Sequence, residues 1–189
     1  MVPELTDRTR LDRVRAAMTD AGTDVLALSV GPDLPWLTGY EAMPLERLTM
    51  LVVPVDGDAT MVVPRLEAPR VVERPGDFSV LAWDESEDPV RLVAELMGSP
   101  ASVAIGDKTW ARFLVDLQAA VPGAAWRKAS DITGPLRAVK DAPEIELGYF
   151  VDVSGGVTDL ARVRCGKDDE PNSLTLLTNA GNEDLAVVI

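Results

Sequence analysis

The stretch "LTMLVVPVDGDATMVVP", residues 48–64, constrains the fold more than any other part of the sequence. Its two apolar runs are each of strand length, and the Asp56-Gly57 pair between them is the signal of a tight hairpin. Hairpin partners run antiparallel. The other strand-length runs, "DVLALSV" (24–30), "FSVLAW" (78–83), "SVAIGD" (102–107) and "AAWRKA" (124–129), are instead separated by segments of helical period. Strands alternating with helices call for parallel neighbours joined by crossovers. The two patterns coexist in an α/β fold: a mixed, mostly parallel sheet flanked by helices, with one antiparallel neighbour forced by the hairpin, and a short irregular C-terminal tail.

The helical segments carry their own punctuation. Leu5 to Gly22 reads as a helix that Thr6 or Asp7 can cap, with Leu11, Val14 and Met18 on one face and Gly22 as its stop. "GPDLPWLTGY" (31–40) reads as a loop rich in glycine and proline. "RLEAPRVVE" is a short helix interrupted or started at Pro69. "DESEDPVRLVAELMG" opens acidic, but Asp88 is a natural N-cap, Pro89 fits the first helical turn, and acids are stabilising at a helix N-terminus. "TWARFLVDLQAAV" puts Trp110, Phe113, Leu114 and Leu117 on one face. Trp83, Trp110 and Trp126 read as core or edge packing. "SDITGPLRAVK" closes the unit. The organisation is an α/β domain over residues 1–135, a junction helix over 136–147, and a tail over 148–189.

Composition removes whole classes of chemistry. The chain has no histidine and one cysteine, Cys165. Serine–histidine and cysteine–histidine relays, HExxH zinc sites and imidazole bases are therefore impossible, and one thiol builds no thiolate zinc site. Carboxylates, lysine or an oxygen-ligand metal are the remaining routes to catalysis. A net charge of −13 argues against nucleic acid, whose recognition needs a basic footprint. No apolar run approaches the roughly 18 residues of a membrane span. A lone cysteine and an N-terminus without a signal-peptide core point to the cytoplasm.

The stretch "RLDRVRAAMTDAGTDVLALSVGPDLPWLTGY", with Trp36, Leu37, Thr38, Gly39 and Tyr40 at its end, resembles the N-terminal domain of the creatinase, Xaa-Pro dipeptidase (prolidase) and aminopeptidase P family. The similarity continues through "ERLTMLVVPVDGDATMVVPRLEA", "AWDESEDP" and "SVAIGDKTWARFLVDLQAAVPGAAWRKAS", and ends in "PLRAVKDAPEIEL", like the family's Leu-Arg-x-x-Lys…Glu-Ile-Glu junction. In that family the junction leads into a pita-bread catalytic domain holding two divalent metals, such as manganese, cobalt or zinc, on aspartates, glutamates and histidine. The resemblance implies that this chain carries the N-terminal domain without the catalytic one, has no cofactor of its own, and is not active alone.

It further implies a role in oligomerisation and active-site access, with a homo-oligomer or a catalytic-domain partner. Trp36, Tyr40 and Arg47 become the candidates for reaching a partner's substrate. An aromatic ring supplies an apolar wall and an arginine fork clamps a carboxylate. The competing reading packs Trp36 and Tyr40 against the sheet and leaves Arg47 a surface charge. Lys140 reads as a solvated residue of the junction, not a catalytic amine. In the tail, Asp152, Gly155, Gly156, Asp159 and Arg162 weakly resemble the family's first metal segment. An ordinary hairpin with exposed acids is the preferred alternative, so no metal site is assigned. The alternative for the whole chain is a stand-alone protein- or ligand-binding module without turnover.

Overall fold

The computed structural model describes residues 8–74, 76–139, 163–165, 173–176 and 185–188. The chain divides into two compact units. The larger, Thr6–Ala138, contains α1 (Arg8–Asp20), β1 (Val25–Leu28), α2 (Asp33–Thr38), β2 (Met50–Pro54), β3 (Ala59–Pro64), β4 (Phe78–Trp83), α3 (Pro89–Met97), β5 (Ser102–Ile105), α4 (Ala111–Ala120), β6 (Ala125–Lys128) and α5 (Ser130–Ala138). The six strands form one sheet in the order β4-β3-β2-β1-β5-β6. β2 is antiparallel to both β1 and β3, while the β3–β4, β1–β5 and β5–β6 pairs are parallel. The hairpin therefore inverts one strand of an otherwise parallel sheet, as the "VDGD" turn requires. Gly57 takes the positive φ of 107° at that turn, and its carbonyl accepts a hydrogen bond from the Arg15 guanidinium of α1.

Both faces of the sheet are covered, and the strands alternate between them. Leu26 and Leu28 of β1, Leu51 and Val53 of β2, and Met61 and Val63 of β3 pack with Leu11, Val14 and Met18 of α1 and Ile132 of α5. Val25 and Ala27, Met50 and Val52, Val62, Val103 and Ile105 face the other way, onto Val93 and Met97 of α3 and Phe113 and Leu117 of α4. This is the period-2 geometry of a strand buried on both sides, and it explains why the central strands read as unbroken apolar runs.

The helix boundaries follow local chemistry. Gly22 ends the first helical segment at φ 60°. Asp88 caps α3, its carboxylate accepting from the amides of Val90 and Arg91 at 3.0 and 3.2 Å. The segment 31–40, read as a loop, contains the six-residue α2. Pro35 suits its first turn, and Gly39 in the left-handed conformation ends it, its N–H donating to the Pro35 carbonyl at 2.8 Å. "RLEAPRVVE" forms a single 3-10 turn over Ala68–Arg70. α5 runs to Ala138, across the boundary expected after residue 135, and it keeps Pro135 within it at the cost of one backbone hydrogen bond.

Of the three tryptophans read as packing, Trp83 is buried and donates its Nε1–H to the Leu48 carbonyl at 2.9 Å, and Trp126 is half-buried on β6. Trp110 departs from that reading. It sits at the N-cap of α4, 39% exposed, with its ring stacked on Phe113 at 6.4 Å.

The smaller unit contains β7 (Val163–Cys165), β8 (Ser173–Leu176) and β9 (Leu185–Val188), an antiparallel sheet in that order. The expectations placed on Lys140, Asp152, Gly155, Gly156, Asp159 and Arg162 lie outside the described residues. No helix among the described residues is long and apolar enough to cross a membrane.

The difference between core and cap is measurable. Leu26→Ala, at the centre of the sheet, is expected to cost about 2–5 kcal/mol in urea unfolding. Asp88→Ala, which removes only a cap, is expected to cost about 1 kcal/mol. Equal losses in the two variants would contradict the layering described here.

Candidate functional site

The candidate residues cluster at the end of the sheet where the parallel strands finish. β1 ends at Leu28, β2 begins beside it at Met50, and the chain between them forms α2 and the segment 39–49. That segment is tied down from several directions. Arg10 of α1 is only 2% exposed and donates from Nη1 to the Trp36 carbonyl at 2.7 Å. The same guanidinium lies 5.5 Å from the centre of the Trp36 ring, a cation–π contact. From α5, Arg137 meets Asp33 at 3.1 Å, and Arg13 of α1 reaches the Leu136 carbonyl at 3.3 Å. Thr38 bonds back to the Leu34 carbonyl at 2.7 Å and accepts from the Tyr40 amide at 3.1 Å.

Trp36 and Tyr40 are therefore packed residues, 8% and 6% exposed. The Tyr40 hydroxyl donates to Oε2 of Glu67 at 2.9 Å, and Glu67 is itself buried. Burial first, then the hydrogen bond and charge of Glu67, push the phenol up to about 12. At neutral pH it is a fixed donor with no nucleophilic or basic character. Trp36 differs in one respect: its Nε1–H is buried without a hydrogen-bond partner among the described residues. Arg47 lies apart from both, on the surface, in an ion pair with Glu85 at 2.6 Å. It borders a cleft of about 580 Å³ that also involves Trp83, Trp110 and Phe113. The three predicted residues thus share one segment and split into two buried supports and one accessible cation.

Sequence reasoning did not single out Arg10, Asp33 or Glu67, and it read Arg137 only as part of the junction motif. Arg10 carried a usable signal, because it stands four residues before Val14 and so falls on the apolar stripe of α1. Glu67 carried none, since its partner is 27 residues away. Among the described residues no three His, Cys, Asp or Glu side chains converge where they could hold a metal.

The Tyr40–Glu67 bond has a pH signature. The fold favours the neutral phenol, so its contribution to stability is complete below pH 10 and is lost as pH rises through about 12. Phenolate absorbance of the wild type minus that of Tyr40→Phe is expected to show one tyrosine ionising near pH 12. A difference curve centred at pH 10 would remove the buried bond from the account.

The Creatinase/Prolidase N-terminal domain family matches residues 10–139. The chain is 35% identical over 141 residues to the probable dipeptidase PepE of Mycobacterium tuberculosis, covering 72% of this chain and 37% of that protein. Its fold is similar to the crystal structure of dipeptidase PepE from Mycobacterium ulcerans, with a TM-score of 0.66, 37% identity, and coverage of 72% of this chain and 38% of that one. The Creatinase/Prolidase N-terminal domain of an X-Pro dipeptidase from Streptococcus pyogenes shares the fold over its whole length, at a TM-score of 0.59, 21% identity and 70% coverage of this chain. The chain thus spans less than two-fifths of the length of the two PepE dipeptidases. Its α/β unit, together with the residues that pin the 33–40 segment, belongs to the creatinase/prolidase N-terminal domain family.

Proposed function

We propose that this chain serves as the non-catalytic N-terminal domain of an Xaa-Pro dipeptidase-like metallopeptidase, acting in oligomer assembly and in access to the active site. One observation carries the reading. The family match covers nearly the whole larger unit, and that unit has the fold of the isolated Streptococcus pyogenes domain. In this role the accessible Arg47 meets the partner or its substrate, a guanidinium being suited to a carboxylate. Trp36 and Tyr40, both buried, hold the segment that presents it. The partner is a second copy or a catalytic domain. The metals belong to that catalytic domain.

The test mixes this chain with the separately produced catalytic portion of a prolidase-type dipeptidase and follows sedimentation. Co-sedimentation is expected, together with hydrolysis of an X-Pro dipeptide in manganese by the mixture and none by this chain alone. Arg47→Ala is expected to raise the KM of the mixture about tenfold, the loss of one charge-assisted hydrogen bond. Turnover by this chain alone, or indifference to the catalytic portion, would overturn the proposal.

A further inference from the structure

The two edges of the six-stranded sheet are closed in different ways. β6 is four residues long and presents Arg127 and Lys128 to solvent, charges that discourage the addition of another strand. β4 has no such protection in its own residues. "FSVLAW" is six residues long and carries neither a charge nor a proline. In a chain of net charge −13, it is an uncharged sheet edge.

The protection comes from its flanks. The Trp83 carbonyl accepts from the Arg65 amide at 2.9 Å, directly after β3, so Trp83 turns its backbone groups inward. By the alternation of a strand, Leu81 and Ser79 do the same, while Phe78, Val80 and Ala82 point their amides outward. The Phe78 amide donates to the Arg74 carbonyl at 3.1 Å. The Val80 amide donates to Oε1 of Glu73 at 3.0 Å. Beyond the strand, the Asp84 amide donates to Oε2 of Glu87 at 2.7 Å. Ala82 is the outward position between the two carboxylates.

Each carboxylate is delivered by a turn. The Asp77 amide bonds to the Arg74 carbonyl at 2.9 Å, closing a turn in which Gly76 takes φ 94°, in the left-handed region that favours glycine. This turn folds Glu73 and Arg74 back along the start of β4. At the other end the Glu87 amide bonds to the Asp84 carbonyl at 2.8 Å, which holds Glu87 beside the amide it receives.

We infer that Glu73 and Glu87 guard the outer edge of β4 against pairing with β4 of a second copy of this chain. The second copy is the fitting occupant because an uncharged strand pairs with itself antiparallel without like-charge repulsion. About a two-fold axis, the outward amides and carbonyls of Val80 and Ala82 are self-complementary. The guards oppose this twice: they occupy the amides an incoming strand needs, and they place carboxylates of like sign at both ends of the contact. This edge is an association surface kept closed, separate from the assembly surface proposed above.

The test uses the full chain with Glu73→Ala and Glu87→Ala combined. Its sedimentation coefficient is expected to rise with concentration more steeply than the wild type's. Amide exchange at Val80 and Asp84 is expected to quicken about 3- to 10-fold, the loss of one exposed hydrogen bond each. Adding Ala82→Pro, which deletes an outward amide while leaving the inward ladder to β3 intact, is expected to abolish the association. Should Ala82→Pro alone lower the Tm, Ala82→Lys, which puts a charge on the same edge, takes its place. Wild-type sedimentation in the double variant, or association that survives both Ala82 changes, would overturn the inference.

Discussion

The structure depends on β1 being buried on both faces. Its four residues, Val25–Leu28, lie at the centre of the sheet and send alternate side chains into opposite cores. A strand in that position needs helices above and below, and α1 with α5 on one side and α3 with α4 on the other supply them. β1 is also where the order of the sheet turns. The chain first builds outward through β2, β3 and β4, then returns to lay β5 on the other side of β1. Such a turning point opens the loops at the carboxyl ends of neighbouring strands, where α/β folds place their contacts. The segment between β1 and β2, which carries Trp36, Tyr40 and Arg47, leaves the sheet there.

A segment leaving a sheet is ordinarily mobile, and the polar ties on this one oppose that. Arg10 is a guanidinium almost withdrawn from water, a costly placement offset by a carbonyl, an aromatic face and its other contacts. Asp33 is nearly buried as well and meets Arg137 from the last helix of the unit. The 33–40 segment is thus fixed to both α1 and α5, elements far from it in sequence. Rigidity of this kind suits the presenting role proposed for the segment.

Much of the fold was legible because its signals are local. The Asp56-Gly57 turn, the Asp88 cap and the strand-length apolar runs each need only a few neighbouring residues, and each set the element it predicted. α2 was missed because a six-residue helix with proline inside it carries almost no periodic signal, and Pro32, Pro35 and Gly39 all read as breakers. Trp110 was misplaced because the helical period of "TWARFLVDLQAAV" extends through it, whereas the helix begins one residue later. At the candidate site, the environments of Trp36, Tyr40 and Arg47 were not legible. Nothing near Tyr40 in the sequence announces Glu67, and nothing near Asp33 announces Arg137, because those partners are set by the stacking of layers.

The two sheet edges show the same division between local and non-local design. β6 wears its charges on the strand, where composition reveals them. The protection of β4 lies in Glu73 and Glu87, which flank the strand and in sequence resemble any other surface acids. Their role follows only from which way the amides of Val80 and Asp84 point, and that is set by the pairing of β4 with β3 on its inner side. Satisfying the inner ladder determines which groups remain on the outside, and the flanking turns then determine whether another strand can reach them. For a domain whose relatives carry it within much longer chains, an edge closed by its own flanks leaves association to be decided at other surfaces, such as the one bearing Arg47 that is proposed above.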